Sequence, residues 1–419
     1  MRKSEQTRAD VAVVGGGVAG LASAREMARR GLSVVVVEAA SDCGAEASGA
    51  AAGMLAPQSE ADARDDFFQL LCASREMYPA FAEALFEECG VDIELERTGT
   101  LYLAFNEEDE REIGRRFEWQ AGAGLEVERL SAAEARRLEP RVSARVRAAL
   151  RFPRDWQVES RGLVRALAAA AEHYGARVLT KTKVEGVRVV AGRAVGLKTT
   201  QGDLSAGAVL LAAGARTSQV SLVVSVREDS SGREDSRASS EWTPHPRIEP
   251  VRGQMLCLRR PGASGPSSSD SPSSSAPFVR HVVYSPRGYL VPRRDGRLLA
   301  GSTSESAGYV CVVTAGGVNR ITSNALEIAP EAASLQVVDA WAGLRPRAAD
   351  GLPVVGESAE VERLFYATGH YRNGILLAPA TGEIIADLLT TGTTKLLPRG
   401  LETFSPSRFR RALAGSHGN

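Results

Sequence analysis

The stretch Asp10–Ala39, DVAVVGGGVAGLASAREMARRGLSVVVVEA, decides the fold. It begins with a β-branched run typical of a strand covered on both faces, passes through a glycine-rich turn into an apolar-periodic run, and ends in a second β-branched run. The middle run stops at Gly31 after Arg29 and Arg30, two cations suited to the negative end of a helix. The stretch therefore predicts a βαβ unit.

The glycine-rich turn has the spacing G-x-G-x-x-G at Gly15, Gly17 and Gly20, and Glu38 stands at the end of the second predicted strand. A turn without side chains lets the backbone approach a pyrophosphate at a helix N-terminus, and a carboxylate accepts hydrogen bonds from ribose hydroxyls. A purely structural turn is the alternative, but the strand, helix, second strand and acid all fall in place. We predict dinucleotide binding, which this fingerprint leaves open between NAD and FAD.

Two runs of small residues favour FAD. The first is Glu46–Pro57, EASGAAAGMLAP, and the second is LLAAGA, Leu210–Ala215, where another strand-like run stops at glycine. Small residues let backbone amides approach a flat, bulky group, although a helix that packs closely is an alternative reading of the first run. The second run adds a contact of the kind that an extended FAD needs.

Composition limits the partners. The 419 residues include 51 Lys and Arg and 51 Asp and Glu, so charge gives no reason to expect nucleic acid or an anionic membrane as a partner. The five cysteines show no paired spacing, which predicts neither a metal site nor disulfides and fits a reducing cytosol. No run approaches 18 apolar residues, so no membrane span is expected. We predict a cytoplasmic protein with a small-molecule substrate.

The order of patterns along the chain predicts two domains. Parallel-type units at the beginning, middle and end are separated by antiparallel material, including a hairpin turn at Asp295-Gly296. We predict an α/β fold in which a discontinuous Rossmann-like FAD-binding domain contains an inserted, mainly antiparallel β-sheet substrate domain of α+β type. The first domain is assigned residues 1–85, 150–220 and 336–419, and the second 86–149 and 247–335.

Two polar segments interrupt this pattern. The first, assigned residues 221–246, contains the stretch REDSSGREDS, which repeats Arg-Glu-Asp-Ser at 227–230 and 233–236, and the second, residues 262–277, holds eight serines. Neither contains enough apolar surface to offset the entropy of ordering it. We predict flexible low-complexity insertions.

With these motifs, and with VRGQMLCL, GYLVPRRDGRLLAGST, VTAGG, WAGLRPRAADGLPVVG and ATGHYRNGILLAPATGEIIADLL, the chain resembles the glycine oxidases of thiamine biosynthesis (ThiO type). These belong to the D-amino-acid oxidase group of FAD-dependent oxidoreductases. The resemblance implies that glycine, sarcosine or D-alanine loses hydride to flavin N5, that oxygen is reduced to hydrogen peroxide, and that the product enters thiazole formation. It also implies a homo-oligomer such as a homotetramer, and thiazole synthase as a partner.

The resemblance further implies the site residues. FAD is expected to be noncovalent, because no cysteine follows Cys311 and no histidine precedes His173. Its expected contacts are Gly15, Gly17, Val18, Ala19, Gly20, Glu38, Ala39, Ala47, Ser48, Ala52, Gly53, Met54, Val184, Gly214, His370, Tyr371, Arg372, Asn373, Gly374, Ile375 and Leu376. Arg345, Tyr289 and Arg372 are expected to bind and orient the substrate carboxylate.

Read without the resemblance, these three residues have other interpretations. Arg345 is a surface charge or a bidentate carboxylate ligand, Tyr289 a core tyrosine or a hydroxyl donor, and Arg372 a solvated cation or a source of positive potential. Three positions, Gly49, Arg347 and Ala348, differ from the usual family residues, which leaves the choice of amino acid open.

Other functions fit the same sequence. A D-amino-acid or N-methyl-amino-acid dehydrogenase would pass electrons to an acceptor other than oxygen. A flavin-bearing module that binds tRNA would need a basic stripe, which the sequence lacks, and a flavoprotein scaffold would lack turnover altogether.

Overall fold

The computed structural model describes residues 8–225, 246–261, 277–396 and 401–409. The strands are β1 (Arg8–Val14), β2 (Val34–Val37), β3 (Met54–Leu55), β4 (Thr100–Ala104), β5 (Glu128–Ser131), β6 (Ala148–Phe152), β7 (Trp156–Gln157), β8 (Arg177–Leu179), β9 (Val184–Val190), β10 (Arg193–Thr199), β11 (Leu204–Leu211), β12 (Ser221–Ser225), β13 (Ile248–Arg259), β14 (Val282–Ser285), β15 (Gly288–Pro292), β16 (Leu298–Gly301), β17 (Gln336–Ala348), β18 (Val354–Glu357) and β19 (Leu364–Thr368). The α-helices are α1 (Val18–Arg29), α2 (Ala47–Ala50), α3 (Pro57–Glu60), α4 (Asp66–Cys89), α5 (Glu107–Gly122), α6 (Ala132–Leu138), α7 (Ser160–His173), α8 (Ala315–Ile328) and α9 (Ala378–Thr390).

The first sheet is built around the βαβ unit that the sequence predicts. Its main path runs β12-β9-β10-β11-β1-β2-β8, and β19 pairs with β11 and carries β18. The pairs β11–β1, β1–β2, β2–β8 and β11–β19 are parallel. The carboxyl ends of these strands therefore lie at one edge, the usual position of a ligand in such sheets.

Both faces of this sheet are covered, as its β-branched strands predict. Val11 and Val13 pack on the side of α1, α7 and α9, whereas Ala12 and Val14 pack on the opposite side with residues of β9 and β10. All four side chains are at most 5% exposed. Successive strand residues point to opposite faces, so one short run contributes to two cores.

The second sheet is mainly antiparallel. Its order is β17-β13-β16-β15-β14-β4-β6-β5, and β14–β4 is its parallel pair. The hairpin predicted at Asp295-Gly296 joins β15 to β16. Helix α8 covers one face, with Ile321 and Ala325 packed among the strand residues. Two sheets in this arrangement confirm the predicted fold class.

The longest ladder in this sheet joins β13 to β17 in antiparallel register. Val251 lies opposite Arg345, Gly253 opposite Gly343 and Met255 opposite Trp341. The ladder has one irregularity, between Cys257 and Leu258. It brings residues that are distant in sequence to one place on the sheet.

Several predicted domain boundaries differ from the sheets. β17 belongs to the second sheet, although residues 336–348 were assigned to the FAD-binding domain, and residues 150–152 of β6 lie there too. Residues 221–225 are not part of an insertion, because they form β12 and pair with β9. Helix α4 crosses the predicted boundary at residue 85. Of the predicted insertions, residues 226–245 and 262–276 lie outside the described residues.

Candidate active site

A cavity of about 550 Å³ opens at the carboxyl edge of the first sheet and extends to the second. Its wall combines the turn after β1, the end of β2, the segment Ala47–Met54, the residues after β11, and parts of β17 and of the loop after β19. Apart from Gly20 and Leu376, every residue that the sequence analysis assigns to the site lies on this wall. The structure thus brings together segments from both ends of the chain.

The turn after β1 forms a tight part of the wall. Gly15 has φ +105°, and a Cβ built there would lie 2.6 Å from the Ala212 carbonyl oxygen, so a side chain does not fit. The first amides of α1 lack intrahelical acceptors and form the positive end of the helix dipole. One of them, the Val18 N–H, donates to Ser48 Oγ at 3.0 Å. This arrangement suits a phosphate.

Glu38 stands beside that turn, at the end of β2. Its Oε2 accepts the Gly16 N–H at 2.7 Å, and its Oε1 accepts the Ala40 N–H at 2.8 Å. Two amides fix the orientation of the carboxylate, yet each oxygen keeps further acceptor capacity. The side chain can therefore accept ribose hydroxyls, as the fingerprint predicts.

The segment Ala47–Met54, in which every residue before Met54 is small, forms part of the wall. Ala47, Ser48, Ala52, Gly53 and Met54 all line the cavity, and α2 occupies only the first four positions of the segment. Val184 also lines the cavity, together with Thr182 and Lys183, two residues that the sequence analysis did not identify. Their place between β8 and β9 gives no signal in the sequence.

Arg345 enters the cavity from β17 and is half-buried. Its Nη1 donates to the Thr303 carbonyl oxygen at 3.0 Å and its Nη2 to Ser302 Oγ at 2.8 Å. Both acceptors are neutral, and among the described residues no carboxylate lies within 4.0 Å of this guanidinium. Such a cation attracts an anionic ligand. A half-buried position on the cavity wall does not fit the interpretation of Arg345 as a surface charge.

Gly253 makes room for that guanidinium. A Cβ built at Gly253 would lie 2.2–2.4 Å from three atoms of the Arg345 side chain. The sequence analysis did not assign Gly253 to the site. A glycine inside a long strand often marks such a close approach, so the signal was present in VRGQMLCL.

Tyr289 lies on the same part of the wall and is 8% exposed. Its ring stacks on Tyr284 at 6.1 Å between centroids, and its hydroxyl is 3.2 Å from Met255 Sδ. The residue is thus a buried tyrosine and a wall residue at once. Thioether sulfur is a weak acceptor, so the hydroxyl can turn to a better partner.

Arg372 is already paired. Its Nη2 donates to Glu60 Oε1 at 3.0 Å and to the Tyr284 hydroxyl at 3.1 Å. The Glu60 carboxylate raises the pKa of Arg372 above its ordinary value. Glu60 also lines the cavity and was missed by the sequence analysis. Arg372 therefore contributes much less net charge to the cavity than Arg345.

His370 is 4% exposed and accordingly uncharged. Burial lowers its pKa to about 4, and its Nε2 lies 3.0 Å from Thr381 Oγ1 in α9. The ring connects the loop after β19 to this helix. The helix begins at Ala378, after a turn in which the Leu377 N–H donates to the Asn373 carbonyl at 2.8 Å.

The two predicted residues off the wall have structural contacts. A Cβ at Gly20 would lie 2.2 Å from the Gly15 carbonyl oxygen, which shows how closely α1 packs on the turn. Leu376 is 1% exposed and packs in the core beside α9. Gly49, Arg347 and Ala348, where the sequence departs from the family pattern, are likewise not wall residues.

The wall has the features that FAD requires. A side-chain-free turn and helix N-terminus suit a pyrophosphate, Glu38 suits a ribose, and a broad surface of small residues suits a flat ring system. Beside that surface lies an arginine without a carboxylate partner. The fold and the cavity together define a dinucleotide-dependent class of protein, with the Arg345 cation on the same cavity wall.

Comparison with known proteins gives the family. The family described as FAD dependent oxidoreductase (DAO) matches residues 10–388. The chain is 36% identical to the glycine oxidase of Geobacillus kaustophilus over 384 residues, 91% of this chain and 93% of that protein. The crystal structure of glycine oxidase from that organism covers 96% of this chain with 99% of its own, at a TM-score of 0.82 and 35% identity.

A longer relative matches over part of its length. The bifunctional protein ThiO/ThiG of Trichormus variabilis is 32% identical over 403 residues, 96% of this chain and 55% of that protein. The chain belongs to the DAO family of FAD-dependent oxidoreductases. Within the described residues, no helix has the length and apolar character needed to span a membrane.

Proposed function

We propose that this FAD-dependent oxidoreductase oxidises glycine or another small amino acid, such as sarcosine or D-alanine. The substrate loses a hydride from its α-carbon and a proton from nitrogen. Water hydrolyses the resulting imine to glyoxylate or the corresponding keto acid, and releases ammonia, or methylamine from sarcosine. The bound flavin supplies the two-electron acceptor, which oxygen reoxidises with formation of hydrogen peroxide. The relatives named glycine oxidase support this choice.

The carrying observation is the guanidinium of Arg345. It faces the cofactor cavity with two neutral hydrogen-bond acceptors and without a carboxylate partner in the described part of the chain. A monocarboxylate completes its hydrogen bonds and balances its charge. We propose that this contact, with the Tyr289 hydroxyl, orients the α-carbon toward the flavin.

The other wall residues have supporting roles in this proposal. Arg372 contributes to the substrate side of the site as part of the Glu60–Arg372 ion pair. Because this pair is nearly neutral, the site binds one carboxylate, at Arg345, and does not bind a second one at Arg372. Burial lowers the pKa of His370 to about 4, so the ring is uncharged at neutral pH, and it holds the loop against α9. Neither residue acts as a base, so the neutral amine of the substrate provides the electron pair that drives hydride departure.

The biological setting is also a proposal. The match to bifunctional ThiO/ThiG proteins supports a product that enters thiazole formation, with thiazole synthase as the consuming partner. We propose a cytoplasmic homo-oligomer, and a homotetramer is the form implied by the family resemblance.

The deciding experiment is a substrate panel with the purified yellow protein. Glycine, sarcosine, D-alanine, D-proline and an L-amino acid are tested for peroxide formation in air and for reduction of an artificial dye without oxygen. Peroxide from glycine, sarcosine or D-alanine supports the proposal. Dye reduction without peroxide supports the dehydrogenase alternative, and no turnover on any member of the panel refutes the oxidase proposal.

A further inference from the structure

Arg293, which follows β15, is a buried cation behind the cofactor wall. It is 4% exposed, and its Nη1 donates to Gln157 Oε1 at 3.0 Å while its Nη2 donates to the Ala52 carbonyl oxygen at 2.6 Å. Its Nε is buried without a partner among the described residues, and no carboxylate of that part of the chain lies within 4.0 Å. Burial lowers its pKa to about 10, so it stays charged at neutral pH.

Arg293 contacts the segment Gly49–Gly53, whose backbone carbonyls are all hydrogen-bonded to residues off the cavity wall. Five consecutive carbonyl oxygens accept hydrogen bonds: Gly49 from Arg161 Nε at 3.1 Å, Ala50 from Trp341 Nε1 at 3.0 Å, Ala51 from Ser160 Oγ at 2.7 Å, Ala52 from Arg293 at 2.6 Å, and Gly53 from the Val158 N–H at 2.9 Å. Among these donors Arg293 is the buried charge, since Arg161 is exposed.

The Ala52 contact sets the direction of the next amide. In a trans peptide the C=O and the following N–H point in opposite directions. The Gly53 N–H therefore points away from Arg293, and Ala52 and Gly53 lie on the cavity wall whereas Arg293 does not. A charge-assisted hydrogen bond to the carbonyl also polarises the peptide and strengthens that N–H as a donor.

We propose that Arg293 is a positioning residue for the bound flavin, which acts through the Ala52–Gly53 peptide and through its own positive potential. A donor held in place, with a cation behind it, stabilises negative charge more than it stabilises the neutral oxidised ring. The reduced flavin therefore gains most from Arg293. This inference depends on FAD binding and is independent of which amino acid is oxidised.

The test measures cofactor properties rather than turnover. In Arg293→Met, FAD binds to the apoprotein at least tenfold more weakly, and the ratio of reduced to oxidised flavin affinity falls about tenfold, which moves the two-electron potential about 30 mV more negative. Arg294→Met is the matched control, because that neighbouring side chain is nearly half exposed and pairs with Asp92 and Glu96. It leaves both quantities unchanged.

Further variants separate charge from simple structural support. Arg293→Gln keeps an amide donor but no charge, and provides the neutral variant if methionine prevents folding; its potential falls as well. Arg293→Lys keeps the charge and restores part of the potential. Ser160→Ala removes the donor to the adjacent Ala51 carbonyl and weakens FAD binding without moving the potential. Neutral variants that bind FAD and keep the parent potential overturn the proposal.

Discussion

Replacing Arg345 with alanine tests the anion site directly. The guanidinium has five N–H donors, and the described structure uses one Nη1 and one Nη2 hydrogen bond, to Thr303 O and Ser302 Oγ. The remaining donors are available to a carboxylate. We expect the variant to fold and to keep FAD, because the lost bonds have neutral acceptors worth about 1 kcal/mol each.

The expected loss falls on substrate recognition. Truncating one partner of a buried, hydrogen-bonded charge pair costs about 2–5 kcal/mol. At about 1.4 kcal/mol for each factor of ten, kcat/KM decreases by roughly 30-fold to several thousand-fold. The half-buried position of Arg345 favours the lower part of this range, since water screens part of the attraction.

Peroxide formation at varied substrate concentration measures kcat/KM, and the ratio of bound FAD to protein confirms that the cofactor is retained. Arg247→Ala is the control, because Arg247 is exposed just before β13 and pairs with Glu249 off the cavity wall. The control should match the parent protein. A value of kcat/KM for Arg345→Ala within about threefold of the parent on its best substrate would remove Arg345 from the carboxylate site.

Three further outcomes follow from the same geometry. Gly253→Ala, whose Cβ would lie 2.2–2.4 Å from the Arg345 side chain, displaces that guanidinium and lowers kcat/KM at least tenfold with FAD retained; an unchanged KM and kcat would contradict this. Gly15→Ala, at φ +105°, weakens FAD binding to the apoprotein, and unchanged binding in a fluorescence titration would show that the turn adapts. The pKa of His370 is about 4 in the folded protein against 6.5 in the unfolded chain, so the unfolded chain binds the proton first and the free energy of unfolding falls by about 3 kcal/mol as the pH drops from 6.5 to 4. Urea unfolding measured across this pH range should show no such decrease for His370→Gln. If the free energy of unfolding falls equally with pH in the parent and in the variant, the assignment to His370 is refuted.

The cofactor half of the site was predictable because its information is local. The turn at Gly15, the helix start at Val18 and the acid at Glu38 follow one another along β1, α1 and β2. Each requirement of a pyrophosphate or ribose corresponds to a residue type at a fixed spacing. The small-residue segment Glu46–Pro57 was also visible in the sequence, and the family resemblance then added its individual contacts and the loop after β19.

The substrate half depends on long-range pairing, which spacing does not encode. Gly253 meets Arg345 only because β13 and β17 adopt one particular register, and Glu60 meets Arg372 because α3 lies against the loop after β19. The assignment of β17 to the first domain was wrong for the same reason, because only its pairing with β13 places it in the second sheet. β17 has 13 residues, pairs within the second sheet and also lines the cofactor cavity, and no change in composition along it marks where one domain ends.

The register of β13 against β17 also limits which insertions and deletions the protein can tolerate. Side chains alternate faces along a strand, so deleting one residue between Gly343 and Arg345 would turn the guanidinium to the opposite side of the sheet. Substitutions along the ladder leave each side chain on its own face of the sheet, whereas a single-residue insertion or deletion near Gly253 moves the following side chains to the opposite face. The irregularity at Cys257–Leu258 lies beyond this stretch, at the far end of β13. We therefore expect length variation among relatives to accumulate beyond that point and to be absent between Val251 and Met255.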